Sequence, residues 1–146
     1  MQLHVFMHLP QKRAETTALL DSGAMENFIS MQYAKELQLP IKHLQWPWPV
    51  YNVDGMRGKN GDIEHYTDLE MQTGSQRVWL RFFLTDLADQ KAILGYPWFT
   101  ANQPKIDWAQ GWINSEQLPL ILCIRKALES QIAKCTTTPA GRRKTR

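Results

Sequence analysis

Short strand-like segments, separated by turn signals every ten or so residues, constrain the fold of this chain more than any other feature. The block LHVFMHL at 3–9 alternates apolar and polar residues, PQKRAE follows as a polar turn, and TTALL resumes the strand pattern. Two such runs around a polar turn predict a β-hairpin. At 146 residues the chain is long enough for one domain with a real core and too short for two. The spacing therefore predicts a mainly β fold, either a small barrel or a sandwich.

The later segments continue this pattern and add short helices. Ser30 can cap a helix over MQYAKELQ, strands are predicted at 76–84 and 91–95, and KIDW and GWI, within 105–113, predict a last hairpin. Between 51 and 61 the turn signals Asp54-Gly55 and Asn60-Gly61 predict a protruding hairpin with a glycine-rich tip. Apolar residues near the end of the chain have helical spacing: Leu120, Ile121, Ile124, Leu128 and Ile132. We therefore expect a main domain over 1–115, a helical segment over 116–135 and a basic tail or linker over 136–146.

The distribution of charge argues against several classes of partner. The net charge is +3, and the last five residues alone contribute four positive charges: Arg142, Arg143, Lys144 and Arg146. The body is close to neutral, so we expect no nucleic-acid binding beyond weak contact by this basic tail. No apolar run approaches the roughly 18 residues of a membrane span. We therefore expect no membrane association.

The cysteines and histidines are too few and too scattered for a metal or a disulfide. Cys123 and Cys135, if they share the predicted helix, are roughly 18 Å apart, beyond the reach of a disulfide. His4 and His8, on one face of a strand, are about 13 Å apart. The sequence therefore predicts no metal and no cofactor. A reducing, cytoplasmic location fits best.

The stretch TALLDSGAMENFI at 17–29 places a carboxylate at the end of an apolar run. Buried acids are rare unless paired, so Asp21 either starts a turn or has a chemical function. A carboxylate activates water only if it is held rigidly and stays accessible to solvent. The strand before Asp21 can hold the carboxylate rigidly, and the Ser22 hydroxyl can donate a hydrogen bond to a neighbouring loop. Gly23 allows the backbone to approach the acid closely, and the small side chain of Ala24 leaves space in the site.

A single carboxylate cannot both deprotonate a water molecule and protonate a substrate carbonyl. Two carboxylates that share a proton can, because like charges about 3 Å apart cannot both ionise readily. The chain has no second Asp-Ser/Thr-Gly triplet. If Asp21 is catalytic in this way, its partner must be Asp21 of a second copy, and a two-fold homodimer follows.

The sequence ALLDSGAMENFIS resembles the active-site loop of retropepsin-like aspartic proteases. About seventy residues later, AILGYPWFTANQPKIDWAQGWI resembles their second signature with the extension typical of gypsy-type LTR retrotransposon polyproteins. The resemblance covers roughly residues 1–115. It implies a small closed β-barrel of the retropepsin type with short helices. Retroviral proteases dimerise through interleaved terminal strands, whereas the terminal segment here predicts a helix.

The resemblance also implies a function and a set of site residues. Asp21 would be the catalytic residue of an aspartic endopeptidase, with Ser22, Gly23 and Ala24 completing its loop. The supporting strand would comprise Ile93, Leu94 and Gly95. A substrate-binding flap would contain Val53, Asp54, Gly55, Met56, Gly58 and Gly61. The substrate would be an extended peptide or the retroelement polyprotein itself, processed in the cytoplasm or within virus-like particles.

Other interpretations of the same residues stay open. Asp54 and Asp107 are explained as turn formers. Ser22 as a nucleophile lacks both a Gly-x-Ser-x-Gly elbow and an evident histidine partner. The chief competing class is a catalytically inactive retropepsin-like module for dimerisation or peptide binding. RNA binding through more than the basic tail is a third, weaker alternative.

Overall fold

The computed structural model describes residues 1–51, 54–58, 61–113 and 118–121. The chain begins with the predicted hairpin, in which β1 (Gln2–His8) pairs antiparallel with β2 (Arg13–Leu20). The inward side chains of β1 are buried apolar residues, and the outward ones are polar or only partly buried. This alternation is what the sequence pattern predicts for a strand with one face on a core.

A short strand and a short helix follow the first hairpin. The strand β3 (Asn27–Ser30) leads directly into α1 (Met31–Glu36). The Ser30 hydroxyl accepts a hydrogen bond from the Tyr33 backbone N–H at 3.3 Å, which confirms the predicted N-cap. Tyr33 and Ala34 are the buried residues of the helix, and they anchor it to the barrel.

Three longer strands form the middle of the chain. They are β4 (Lys42–Trp48), β5 (Ile63–Thr73) and β6 (Gln76–Thr85), and β5 pairs antiparallel with both of the others. The strand β4 is almost entirely exposed, and its register with β5 shifts between His43 and Trp48. On the outer face of β6, Arg81 donates a hydrogen bond to the Asp68 carboxylate at 2.9 Å, and this bond raises the pKa of the guanidinium.

The last described elements are short. They are β7 (Ala92–Leu94), α2 (Tyr96–Asn102), β8 (Ile106–Asp107), β9 (Trp112–Ile113) and β10 (Leu118–Ile121). Pro97 lies in the first turn of α2, where its missing N–H costs nothing. The strands β8 and β9 form the predicted hairpin.

The strands join into one sheet that closes on itself. Their order is β4-β5-β6-β3-β7-β2-β1-β10-β9-β8, and an additional pairing joins β5 to β1. This pairing closes six strands, β5-β6-β3-β7-β2-β1, into a barrel. Its core is apolar and includes Val5, Met7, Ile29, Phe82 and Leu94. The predicted small closed β-barrel is confirmed, and the alternative of a sandwich is wrong.

The predicted helix at the C-terminal end is wrong over Leu118–Ile121, which form β10. This strand pairs antiparallel with β1 on one side and with β9 on the other. Leu120 and Ile121 suit a strand as well as a helix, and two open strand edges supply partners for the backbone here. Pro119 also opposes a helix at this point, because it restricts the residue before it to extended conformations. The rest of the predicted helical segment and the basic tail lie outside the described residues.

In the part of the chain that the structure describes, no helix is long and apolar enough to cross a membrane.

Candidate active site

The Asp21 loop joins two strands that lie on either side of β7. The strand β2 pairs parallel with β7, with Leu20 opposite Leu94, and β3 pairs antiparallel with the same strand. The loop over 21–26 therefore crosses the end of β7. The Asp21 backbone N–H donates to the Leu94 carbonyl at 3.0 Å. The predicted supporting strand is thus the direct neighbour of the predicted catalytic residue, and Gly95 follows β7 immediately.

The Asp21 carboxylate is exposed to solvent, while the strand that bears it is anchored in the core through Ala18 and Leu20. One carboxylate oxygen, Oδ1, accepts a hydrogen bond from the Gly23 N–H at 3.0 Å. The Ala24 N–H donates to the Asp21 carbonyl at 3.1 Å and closes the turn. A Cβ at Gly23 would lie 3.2 Å from Asp21 Oδ1, so glycine leaves room for the acid. The carboxylate is therefore held in orientation and reachable by water, as general-base chemistry requires.

Gly95 lies directly against the backbone of the loop. A Cβ on this residue would be 2.1 Å from the Glu26 carbonyl oxygen and 2.7 Å from the Ala24 carbonyl oxygen. Both neighbours are backbone atoms, so neither can move aside without displacing the loop. The backbone of Gly95 is extended, with φ at −98°. Glycine is needed here for close approach and not for an unusual dihedral angle.

Asn27 is a site residue that the sequence analysis missed. Its side chain is only 1% exposed, and its Oδ1 accepts a hydrogen bond from the Gly95 N–H at 2.9 Å. Its Nδ2 makes a longer contact, 3.5 Å, with the Arg81 carbonyl. The amide therefore ties the loop after Asp21 to the end of β7. The available signal was a lone amide at the start of an apolar strand, where a buried polar group requires a partner.

The predicted flap residues that the structure describes lie between β4 and β5. Tyr51 and Arg57 form an antiparallel bridge, and the Gly58 N–H donates to the Val50 carbonyl at 2.7 Å. The Asp54 carboxylate accepts from the Met56 N–H at 2.9 Å, which confirms its predicted role as a turn former. Gly55 and Gly61 have positive φ values, Met56 is exposed, and Val53 lies outside the described residues. These contacts build a hairpin, and its closure over a substrate stays a prediction.

The other acids and histidines singled out in the sequence have partners of their own in the described residues. The Asp107 carboxylate accepts a hydrogen bond from the Gln110 N–H at 2.9 Å, so it is a turn former as predicted. His4 contacts Glu15 at 2.6 Å, whereas His8 contacts Gln72 at 2.7 Å. The two histidines thus have separate partners. Within the described ranges, no group of three or more His, Cys, Asp or Glu side chains is placed to bind a metal ion.

Two solved structures align with the fold of this chain. The retroviral protease-like domain of Ddi1 from Leishmania major aligns with a TM-score of 0.55 at 15% identity, over 85% of this chain and 96% of that chain. The EIAV protease, complexed with the inhibitor HBY-793, has a TM-score of 0.48 at 18% identity, over 73% of this chain and 91% of that chain. The likeness to the Ddi1 domain establishes that this chain has a retropepsin-like fold.

A family model described as the PEG10/RTL1 protease domain matches residues 17–120. The chain therefore belongs to the PEG10/RTL1 protease domain family. This membership confirms the resemblance to retropepsin-like proteases that the two signatures predict. The catalytic role of Asp21, the homodimer and a gypsy-type origin stay predictions.

Proposed function

We propose that this protein is an aspartic endopeptidase that acts as a homodimer, in which two Asp21 carboxylates share one water molecule and one proton. The observation that carries the proposal is that Asp21 has a fixed backbone and an exposed carboxylate. Its carboxylate is exposed, yet its backbone is hydrogen-bonded to Leu94 and its Oδ1 to the Gly23 N–H at 3.0 Å. A single copy supplies one such acid, so the second comes from a two-fold partner.

The reaction uses the two carboxylates in complementary protonation states. The ionised one removes a proton from the water as its oxygen attacks the carbonyl carbon of the peptide bond, and the protonated one donates its proton to the carbonyl oxygen. The tetrahedral diol then collapses: one diol hydroxyl returns its proton to the carboxylate that is now ionised, the C–N bond breaks, and the amine nitrogen leaves with the proton that the other carboxylate took from the water. No metal or cofactor takes part in these steps.

The proposed substrate is an extended peptide segment, such as a cleavage site in a retroelement polyprotein. An extended chain can add backbone hydrogen bonds to strand edges while pockets accept alternate side chains. The hairpin that contains Asp54, Gly55, Met56, Gly58 and Gly61 would close over the peptide and exclude other water. The proposed location is the cytoplasm or the interior of virus-like particles.

Activity measured over a concentration series tests the proposal. Cleavage of a peptide library should rise with the square of protein concentration while the monomer predominates, and a statine-type inhibitor should block it. The substitution Asp21→Asn should abolish cleavage. Asp86→Asn is the matched control, because the exposed Asp86 carboxylate also accepts a hydrogen bond from the backbone N–H two residues later, that of Ala88, at 2.9 Å.

Full activity in the Asp21→Asn variant, or in a strictly monomeric preparation, would contradict the proposal. Peptide binding without cleavage by the unmodified protein would favour the inactive binding module instead.

A further inference from the structure

Two histidines from different strands lie against each other where β4 pairs with β5. His43 of β4 is directly opposite His65 of β5 in the antiparallel register, so both side chains project from the same face of the sheet. Their ring centroids are 4.3 Å apart, with an angle of 53° between the ring planes. His43 is exposed and His65 is half-buried. Solvent and ions can therefore reach the pair, which we call the cross-strand histidines.

The spacing of the two rings suits imidazoles that bind one metal ion. A metal–nitrogen bond of about 2.1 Å puts the ion about 3.2 Å from the centroid of an imidazole ring. Two such rings have centroids about 4.5 Å apart at the 90° angle of octahedral and square-planar sites, and about 5.2 Å apart at the tetrahedral angle. The observed 4.3 Å is closer to the 90° arrangement. Because His43 is exposed, its ring can rotate to aim a nitrogen at the ion without displacing packed neighbours.

The surroundings of His65 suit a hydrated cation. A cavity of about 270 Å³ beside this ring is lined by Asp62, Glu64 and Asp86, among other residues. Among the described residues, no third His, Cys, Asp or Glu joins the pair to form a larger group of ligands. The ion would therefore keep water at its other positions, and the three nearby acids would offset its charge without bonding to it.

We propose that the cross-strand histidines bind one divalent transition-metal ion of the Ni²⁺ or Cu²⁺ type. The ion ties β4 to β5 beside the irregular part of their pairing, because the register shifts between His43 and Trp48. The site goes beyond the proposed function, since no step of peptide hydrolysis uses it. The sequence pattern does not reveal it, because the two histidines are 22 positions apart and only the strand register brings them together.

The competing explanation is that the two rings contact each other only to stabilise the strand pair, as cross-strand aromatic side chains do. The two explanations give different results when Ni²⁺ is added. A ring contact alone gives Ni²⁺ no preference for His43 and His65 over the other two histidines of the chain, His4 and His8. A shared site gives such a preference.

An NMR titration of the full chain, without a histidine tag and at about pH 7.5, tests the proposal with Ni²⁺ as the probe. The paramagnetic ion should broaden the imidazole signals of His43 and His65 together, at a lower concentration than those of His4 and His8. In calorimetry, His43→Gln and His65→Gln should each weaken Ni²⁺ binding at least about tenfold, because a two-point attachment is lost. His4→Gln is the matched control and should bind Ni²⁺ like the unmodified protein. Binding should also weaken at about pH 5.5, because a protonated imidazole is no longer a ligand.

Equal Ni²⁺ affinity in folded His43→Gln, in folded His65→Gln and in the unmodified protein would overturn the proposal. Broadening of His43 and His65 no earlier than that of His4 and His8 would overturn it as well. Thermal unfolding should verify that the variants are folded, and the NMR result on the unmodified protein is decisive if they are not. Peptide cleavage is not measured here, so neither result bears on the proposed function.

Discussion

The hydrogen bond from Gly95 to Asn27 allows a quantitative test of how the Asp21 loop is held. In Asn27→Ala, the buried Gly95 N–H loses its acceptor at 2.9 Å. A buried donor left without a partner costs about 1–3 kcal/mol, and the space vacated by an amide that was 1% exposed adds to this. The contact to the Arg81 carbonyl, at 3.5 Å, is at the limit for a hydrogen bond and contributes little.

We therefore expect Asn27→Ala to lower the free energy of unfolding by about 2–4 kcal/mol, a large share of the 5–15 kcal/mol typical of a domain. Urea unfolding monitored by tryptophan fluorescence measures this change, and an unchanged m-value would show that two-state behaviour is preserved. Asn102→Ala is the matched control. Its amide donates to the Trp98 carbonyl at 2.9 Å but is only half-buried, so water can replace it and the loss should be about 0.5–1.5 kcal/mol.

The reasoning about the loop fails if Asn27→Ala destabilises the protein no more than Asn102→Ala does. A second readout is activity under conditions where both variants remain folded. If Asn27 positions the loop, Asn27→Ala should lower kcat, whereas Asn102→Ala should not.

Three further predictions concern the same framework. Gly95→Ala should destabilise the protein by about 3 kcal/mol or more, because its Cβ would lie 2.1 Å from a backbone oxygen. The control is Gly58→Ala, whose Cβ meets nothing closer than 3.4 Å. Equal unfolding midpoints of the two variants would refute the steric argument. Ser30→Ala should cost about 0.5–2 kcal/mol by removing the α1 cap, Ser30→Asp should restore most of it, and thermal unfolding of both measures the effect. The rate of peptide cleavage should follow a bell-shaped pH profile in the acidic to near-neutral range, because one proton must be shared between two acids, and a rate that stays flat up to about pH 9 would contradict the dyad.

Several features of the fold could be predicted from local sequence because the forces that form them are local. The hairpin of β1 and β2 follows from alternation around a polar turn, and the start of α1 follows from the Ser30 hydroxyl. The turns at Asp54 and Asp107 follow from short-range hydrogen bonds of their own carboxylates. Each of these interactions spans only a few residues, so the sequence pattern contains the whole cause.

The errors and omissions have a common origin in contacts between distant segments. The sequence of Leu118–Ile121 is compatible with a helix. The segment is a strand in the structure because its backbone pairs with β1 on one side and β9 on the other. Asn27 is inconspicuous in the sequence, and its importance follows from a hydrogen bond to a residue 68 positions away. In both cases the partner is chosen by the topology of the barrel, which no short window of sequence contains.

The sequence by itself determined the kind of loop that bears Asp21. An apolar run, an acid and then three small residues all lie within the thirteen positions 17–29, so a short window of sequence contains the whole pattern. Only the tertiary structure decided how that loop is supported, since the end of β7 must come within contact distance of the Glu26 carbonyl before Gly95 and Asn27 acquire their roles. Local hydrogen bonding and alternation are properties of neighbouring residues, whereas close packing is a property of segments that meet only after the barrel has closed.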